Sequence, residues 1–322
     1  MSTIPLTFNQ RQIAHTALGG REKISKILMP VSCLVLNRTS NQYRSRVFKN
    51  LLACGFESIV SVEFRHTSRN TEQLALQFPA VKFICVQEAV TIGDLINIGM
   101  SEITSPYVLI LQEDLCINNF KFNAMIANKL IEFNQFCVCP RLMTDDMQGL
   151  PVRLTPSFKG ANFEVDSSLG MVDKVATLYP VDLNGFYDYK KFVHLGGFDY
   201  TITSPYWQKT DLFFRAWLWG ERINVCAAFT LAYSGEVPME DHTANDSYLQ
   251  FYLKNILPRF KNDHGEIALS SFWKFHSRSS CGLNESARLF LRARKWIKIN
   301  RYRFKMDSAS LMENWGTVGE VK

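Results

Sequence analysis

The stretch PYVLILQEDL, Pro106–Leu115, decides how this chain is read. Tyr107 to Leu111 are apolar without interruption, the pattern of a short strand buried on both faces of a sheet. The run breaks at Gln112, Glu113 and Asp114. A buried strand that ends in adjacent carboxylates delivers them to the crevice above the strand ends, where open α/β sheets bind ligands. Carboxylate oxygens there suit Mg²⁺ or Mn²⁺, which bridge to a diphosphate. The same letters also describe a solvated strand end with an acidic helix N-cap. The neighbouring sequence separates the two readings.

Upstream of this stretch the pattern repeats. Val31–Leu36 (VSCLVL) predicts a buried strand that stops at Asn37-Arg38-Thr39-Ser40, residues that favour a turn and an N-cap. The following YRSRVFKNLLACGF has helical periodicity, with Val47, Phe48, Leu51 and Leu52 on one face and Gly55 placed to end it. Ser58–Phe64 predicts a second strand, 72–77 a short helix, the run from Val81 a third strand, and 91–104 a further helix. Strand and helix alternating four times imply parallel βαβ units and a doubly wound α/β sheet. The loops after Leu36, Phe64 and Leu111 then gather at one edge, so Asn37-Arg38, Glu63 and Glu113-Asp114 share one cleft. Residues 1–29 read as a polar extension, with a short helix before Gly19-Gly20.

Composition bounds the rest. The 322 residues, 47% hydrophobic and 20% charged, describe a globular chain with room for one large α/β domain and an appendage. The 8 cysteines include no CxxC pairs with metal spacing, and scattered thiols fit a reducing compartment better than a disulfide framework. The N-terminus has no basic segment leading into an apolar one, and no apolar run approaches the ~20 residues that span a bilayer. A cytoplasmic protein is the expectation.

Five segments, in register, resemble family 2 glycosyltransferases of the GT-A fold. They are VSCLVLNRTS, SIVSVEFRHTSRNTEQ, GDLINIGMSEITSPYVLILQED, VDLNGFYDYKKFVHLGGFDYTITSPYWQKTDLFFRAWLWGE and EDHTANDSYLQFYLKNILPRF, covering roughly residues 30–260. The resemblance implies an inverting enzyme that moves a sugar from a metal-bound nucleoside diphosphate sugar to a saccharide or lipid-linked saccharide acceptor, as in cell-surface polysaccharide synthesis. It implies Mg²⁺ or Mn²⁺ on Asp114 and Glu113, with His242 completing the metal shell or bonding the diphosphate. It points to Asn37, Arg38, Glu63 and Asp94 for the nucleotide-sugar. Residue by residue, each has a plainer fate. Glu63 suits an edge carboxylate bonded to backbone, Asp94 a first-turn acid on its helix, and Arg38 and His242 solvated side chains.

The attack on the sugar needs a general base near the acceptor hydroxyl. The family usually supplies it from an acidic pair just before Asp-Leu-x-x-Arg; here that place holds Gln208-Lys209, a departure. Asp211 is the nearest carboxylate and Asp199 of GGFDY the second, although Asp211 also suits a helix cap. The second strand departs as well, with Phe64 where a second acid is usual. Phe186, Tyr187, Tyr189, Tyr206, Trp207, Trp217 and Trp219 crowd the acceptor half. Most suit core, leaving Tyr206 and Trp207 in a Ser-Pro loop as a sugar-stacking platform.

The expected organisation is an extension (1–29), a nucleotide-sugar half (30–125), an acceptor half (126–262) and a basic helical region (263–322). Residues 286–305 carry eight Lys or Arg and no acid. Their apolar stripe of Leu289, Phe290, Ala293, Trp296 and Ile297 suits either a helix lying on an anionic membrane surface, which would place the protein at its inner face, or one docked on the main domain. Nucleic acid is not expected, because no recognition motif accompanies the charge. Two other functions stay open: a non-catalytic GT-A-like binding or scaffolding protein, motivated by Gln208-Lys209, and a nucleotidyltransferase. The Gly-rich first loop of the latter is missing from NRTSNQ.

Overall fold

The computed structural model describes residues 13–37, 44–64, 70–116, 121–144, 146–159, 162–170, 172–233 and 240–315. Arg38 and the turn around it lie outside them. Strand β1 (His15–Gly19) is followed by β2 (Val31–Asn37), α1 (Arg44–Cys54), β3 (Ile59–Glu63), α2 (Thr71–Gln77), β4 (Val81–Val86), α3 (Ile92–Ser101) and β5 (Tyr107–Gln112). Then come α4 (Ala124–Glu132), β6 (Cys137–Thr144), the pair β7 (Pro151–Lys159) and β8 (Asn162–Leu169), β9 (Val175–Ala176), β10 (Gly185–Asp188) and α5 (Tyr189–Leu195). The last part holds α6 (Pro205–Leu218), β11 (Ile223–Tyr233), α7 (Asp246–Phe251), β12 (Arg259–Lys261), β13 (His264–Glu266), α8 (Ser271–Ser279), α9 (Leu283–Asn300) and α10 (Ser308–Glu313).

Nine strands form one sheet in the order β1-β4-β3-β2-β5-β10-β6-β11-β9. The expected four strands are its parallel core: β2 lies between β3 and β5, and β4 pairs with β3. Every residue of β2 and β3 is buried, which is why these segments read as unbroken apolar runs rather than alternating ones. Beyond β5 the antiparallel β10 hands the sheet on to β6, and β11 runs parallel to β6. One sheet therefore passes through both expected halves of the chain. Helices cover it where apolar faces match, as α1 does with Val47, Phe48 and Leu51, and Gly55 ends that helix at φ 81°.

Two expectations change, and the structure selects between two readings of a third segment. The segment before Gly19-Gly20 is an edge strand, pairing antiparallel with β4 from His15↔Val86 to Gly19↔Lys82. Gly19 is required there: it sits at φ 68°, and a Cβ would come within 2.2 Å of the Val81 carbonyl oxygen. Tyr206 and Trp207 are not in a loop. Ser204 and Pro205 start α6, Pro being well suited to a helix's first turn, and both rings are buried within its packing. Finally, the apolar stripe of α9 is docked on the domain. Phe290, Ala293, Trp296 and Ile297 are buried, with Phe290 against Phe272 and Phe275 and Trp296 stacked on Trp219.

Candidate functional site

The C-terminal ends of β2, β3 and β5 form one edge because their register puts Asn37 beside Glu63 and Leu36 beside Gln112. The chemistry at this edge is organised by Arg44, at the start of α1, which the sequence reading missed. Its Nη2 donates to Glu63 and its Nε donates to Glu113 Oε1 at 2.9 Å. Glu63 also accepts from Asn37 Nδ2 at 2.6 Å and from Ser61 Oγ at 2.7 Å. Asn37 and Glu63 are fully buried among the described residues. Glu63 must be buried to hold Arg44, a use that its sequence position alone could not reveal.

Glu113 is different. One oxygen is on Arg44, but Oε2 is buried with no hydrogen-bond partner among the described residues. Burial, with smaller contributions from the Glu63 and Asp114 carboxylates and opposed by Arg44, pushes its pKa up to about 7. Asp114 follows, half-buried at the start of a 3₁₀ turn (Glu113–Cys116).

Among the described residues no three His, Cys, Asp or Glu side chains converge as a metal cage. His242, expected as a third ligand, is exposed, with its ring stacked on Tyr206 at 4.2 Å between centroids. The pair that remains, Glu113 Oε2 and Asp114, fits a divalent cation held by two carboxylates with water and phosphate oxygens filling its other positions. Asp94, expected at the nucleotide, closes a capping box with Thr91 and receives Gln208 Nε2 at 3.4 Å. Being 1% exposed, it is the first-turn acid of α3.

The expected general bases form a second buried network. Asp211 and Asp199 both have 0% exposure. Lys254 Nζ donates to both, at 2.8 Å to Asp211 Oδ2 and 3.1 Å to Asp199 Oδ2. Arg215 ion-pairs with Asp211 at 3.1 Å, and Asn255 Nδ2 donates to it at 2.8 Å. Burial alone would raise the Asp211 pKa, yet Lys254 and Arg215 prevail and hold it below the usual carboxylate range. Asp211 is thus engaged by Lys254, Arg215 and Asn255 at once. The two acids tie the segment before α6 and the middle of α6 to Lys254 of the π turn at Tyr252–Ile256.

A third group, unmarked in the sequence, lies beside the β5 end. Gln112 N donates to Asn184 Oδ1 at 2.8 Å, and Gln112 Nε2 donates to the Asp182 carbonyl at 3.1 Å. Asn184 Nδ2 donates to the Tyr233 hydroxyl at 3.0 Å, which in turn donates to Asp182 Oδ2 at 2.6 Å. Asp182 and Leu183 are both left-handed, at φ 52° and 63°, and two such non-glycine residues in succession store strain of roughly 1–3 kcal/mol each. Asp182 is half-buried and its charge reaches Lys209, which burial shifts below the usual lysine range against the pull of Glu240 and Asp182. Lys209 ion-pairs with Glu240 and lies 4.0 Å from the Tyr179 ring centroid. Only the strained pair and the lysine in place of an acid could have signalled this group, and strain is not visible in a sequence.

No protein-family model and no curated protein sequence matches the chain. Among solved structures, it is similar to GalNAc-T7 with UDP, GalNAc and Mn²⁺, at a TM-score of 0.51 and 10% identity over 88% of this chain and 56% of that one. A likeness to S. aureus TarS 1-349 has a TM-score of 0.45 and 12% identity over 82% of this chain and 71% of that one. One to the bifunctional IspDF from Campylobacter jejuni has a TM-score of 0.34 and 14% identity over 64% and 50%. The fold is GT-A-like. Thus the chain spans little more than half the length of the GalNAc-T7 chain whose architecture it shares.

Proposed function

We propose that this protein is a glycosyltransferase that moves a sugar from a nucleoside diphosphate sugar to a saccharide acceptor by single displacement with inversion. The GT-A-like fold supports this, as does the fold-level likeness to a protein solved with UDP, a sugar and Mn²⁺. The observation that carries it is the meeting, at the end of β5, of a carboxylate pair with an unused buried oxygen and the Gln112-tethered Asp182.

Glu113 and Asp114 would hold Mg²⁺ or Mn²⁺, which when bound neutralises charge on the leaving diphosphate. The chain's own groups act on the acceptor. Asp182, oriented by Tyr233, takes the hydroxyl proton as the acceptor oxygen bonds to the anomeric carbon; the bond from that carbon to the phosphate oxygen breaks, and its electron pair leaves with the diphosphate. Asp182 replaces Asp211 and Asp199 in this role because its carboxylate is only half-buried. Lys209, buried and ion-paired with Glu240, adds positive charge near Asp182.

The test is a thermal-shift series of nucleoside diphosphates with and without Mn²⁺, followed by donor hydrolysis. A ligand at ~100 times its Kd stabilises the folded state by ~2.7 kcal/mol. Wild type is expected to respond only with Mn²⁺ present, and Asp114→Asn not at all. No response to any nucleoside diphosphate refutes the proposal. Binding without turnover of any sugar donor would favour a binding module, the reading to which the Gln208-Lys209 departure points.

A further inference from the structure

With its apolar stripe docked on the domain, α9 turns a different face outward. Arg288, Leu291, Lys295 and Lys298 follow one another there at three- and four-residue spacing, with Arg292 and Ile299 beside them. Leu291 is 57% and Ile299 71% exposed, and Tyr302 just beyond is 66% exposed. Large apolar side chains interleaved with cations on one open face have no role in the core below, since Phe290, Ala293, Trp296 and Ile297 already fill it.

Next to this face, α9 and the β12–β13 hairpin border an open cavity of ≈ 370 Å³. Arg294, Lys295, Lys298 and Arg301 line it, against Glu266 alone among acids. Arg294 is held in the wall by its Nε, which donates to the Ile267 carbonyl at 3.1 Å. The Arg301 guanidinium lies over Tyr302, 4.5 Å from the ring centroid, and its Nη2 donates to the Tyr302 hydroxyl at 2.7 Å. The cavity has the size of a small-ligand site and the charge of a phosphate site. Among the described residues no helix is long and apolar enough to cross a membrane.

We propose that this face is a docking surface for an anionic phospholipid bilayer, with a headgroup phosphate entering the Arg294–Lys298–Arg301 cavity and Leu291, Ile299 and Tyr302 reaching into the interface. Charge complementarity selects this occupant. Arg288, Arg292, Lys295 and Lys298 on this face, with Arg294 and Arg301 at the cavity beside it, meet an anionic leaflet, and the exposed apolar side chains find a non-aqueous layer there. The surface is the outer face of α9, opposite to the stripe that the amphipathic pattern alone would press onto a membrane.

The experiment is vesicle co-sedimentation of the full chain, with phosphatidylcholine vesicles and with phosphatidylcholine–phosphatidylglycerol vesicles. The protein is expected to sediment only with the second and to be released by salt. Each basic residue near such a surface contributes ~1 kcal/mol, a factor of about 5, so Lys295→Gln/Lys298→Gln should weaken partitioning roughly 25-fold. Leu291→Ser/Ile299→Ser should weaken it at low salt with every cation kept. All four side chains point to solvent, so the variants keep their melting temperatures. Unchanged partitioning in both variants, or no sedimentation with phosphatidylglycerol, overturns the proposal. So does a single-stranded oligonucleotide or inorganic phosphate that binds while vesicles do not. The outcome is independent of nucleotide binding.

Discussion

Lys254 is the residue whose loss the structure makes most informative. It is 3% exposed and donates to two fully buried carboxylates, Asp199 and Asp211. Lys254→Met keeps most of the side chain's volume while removing the charge, including the Nζ that lies 4.8 Å over the Trp296 ring. Asp199 then keeps Thr201, whose backbone N–H and Oγ1 donate to it, and Asp211 keeps Arg215 and Asn255. Removing one partner of a buried ion pair costs ~3–5 kcal/mol, because the charges left behind are unsolvated. At roughly 2 °C per kcal/mol for a chain of this size, the midpoint of unfolding should fall by about 6–10 °C.

The pH dependence is the sharper readout. In wild type the depressed Asp211 pKa contributes stability that is present above the unfolded carboxylate value near 3.8 and is lost as pH falls through the folded one. Without Lys254, burial dominates and the folded pKa rises above the unfolded one. The folded state then binds the extra proton, so the variant's deficit should be larger at pH 8 than near pH 4.5. Chemical denaturation across this range measures it. Adding Asp211→Asn to Lys254→Met should recover part of the loss at pH 8. A deficit under ~1 kcal/mol, or one independent of pH, would refute the ion-pair account of these two acids.

Other outcomes follow from single contacts. Gly93→Ala would set a Cβ 2.3 Å from Gln208 Oε1 and 2.8 Å from Phe198 Cδ1, so overpacking should cost ~1–3 kcal/mol in chemical denaturation, and Gln208→Ala should relieve part of it. Asp182→Asn should retain Mn²⁺-dependent nucleotide binding while sugar transfer falls by ~10²–10⁴-fold, measured by release of nucleoside diphosphate; unchanged transfer removes Asp182 from the reaction. Gly19→Ala, at φ 68° and against the Val81 carbonyl, should loosen the β1 edge, seen as faster amide exchange in β1 with the parallel core strands unaffected.

The sequence by itself determined the parallel core and the place of one carboxylate pair at its edge. Strands buried on both faces must be written as continuous apolar runs, so Val31–Asn37 and Tyr107–Gln112 could be placed almost to the residue, and Glu113-Asp114 at the end of one of them. It could not determine what each acid does there. Glu63, Asp94, Asp199, Asp211 and Asp114 are written in the same two letters, yet the first four are buried and satisfied while Asp114 stays half-buried. The difference comes from partners far away in the chain: Arg44 for Glu63, Gln208 for Asp94, Lys254 for Asp199 and Asp211. The same holds for α9, whose composition allowed either face to be its working face until Phe290 and Trp296 met Phe272 and Trp219. Burial of apolar surface depends on local pattern and can be read along the chain. The state of a charge depends on which opposite charge and how much water surround it, and only the tertiary structure decides that.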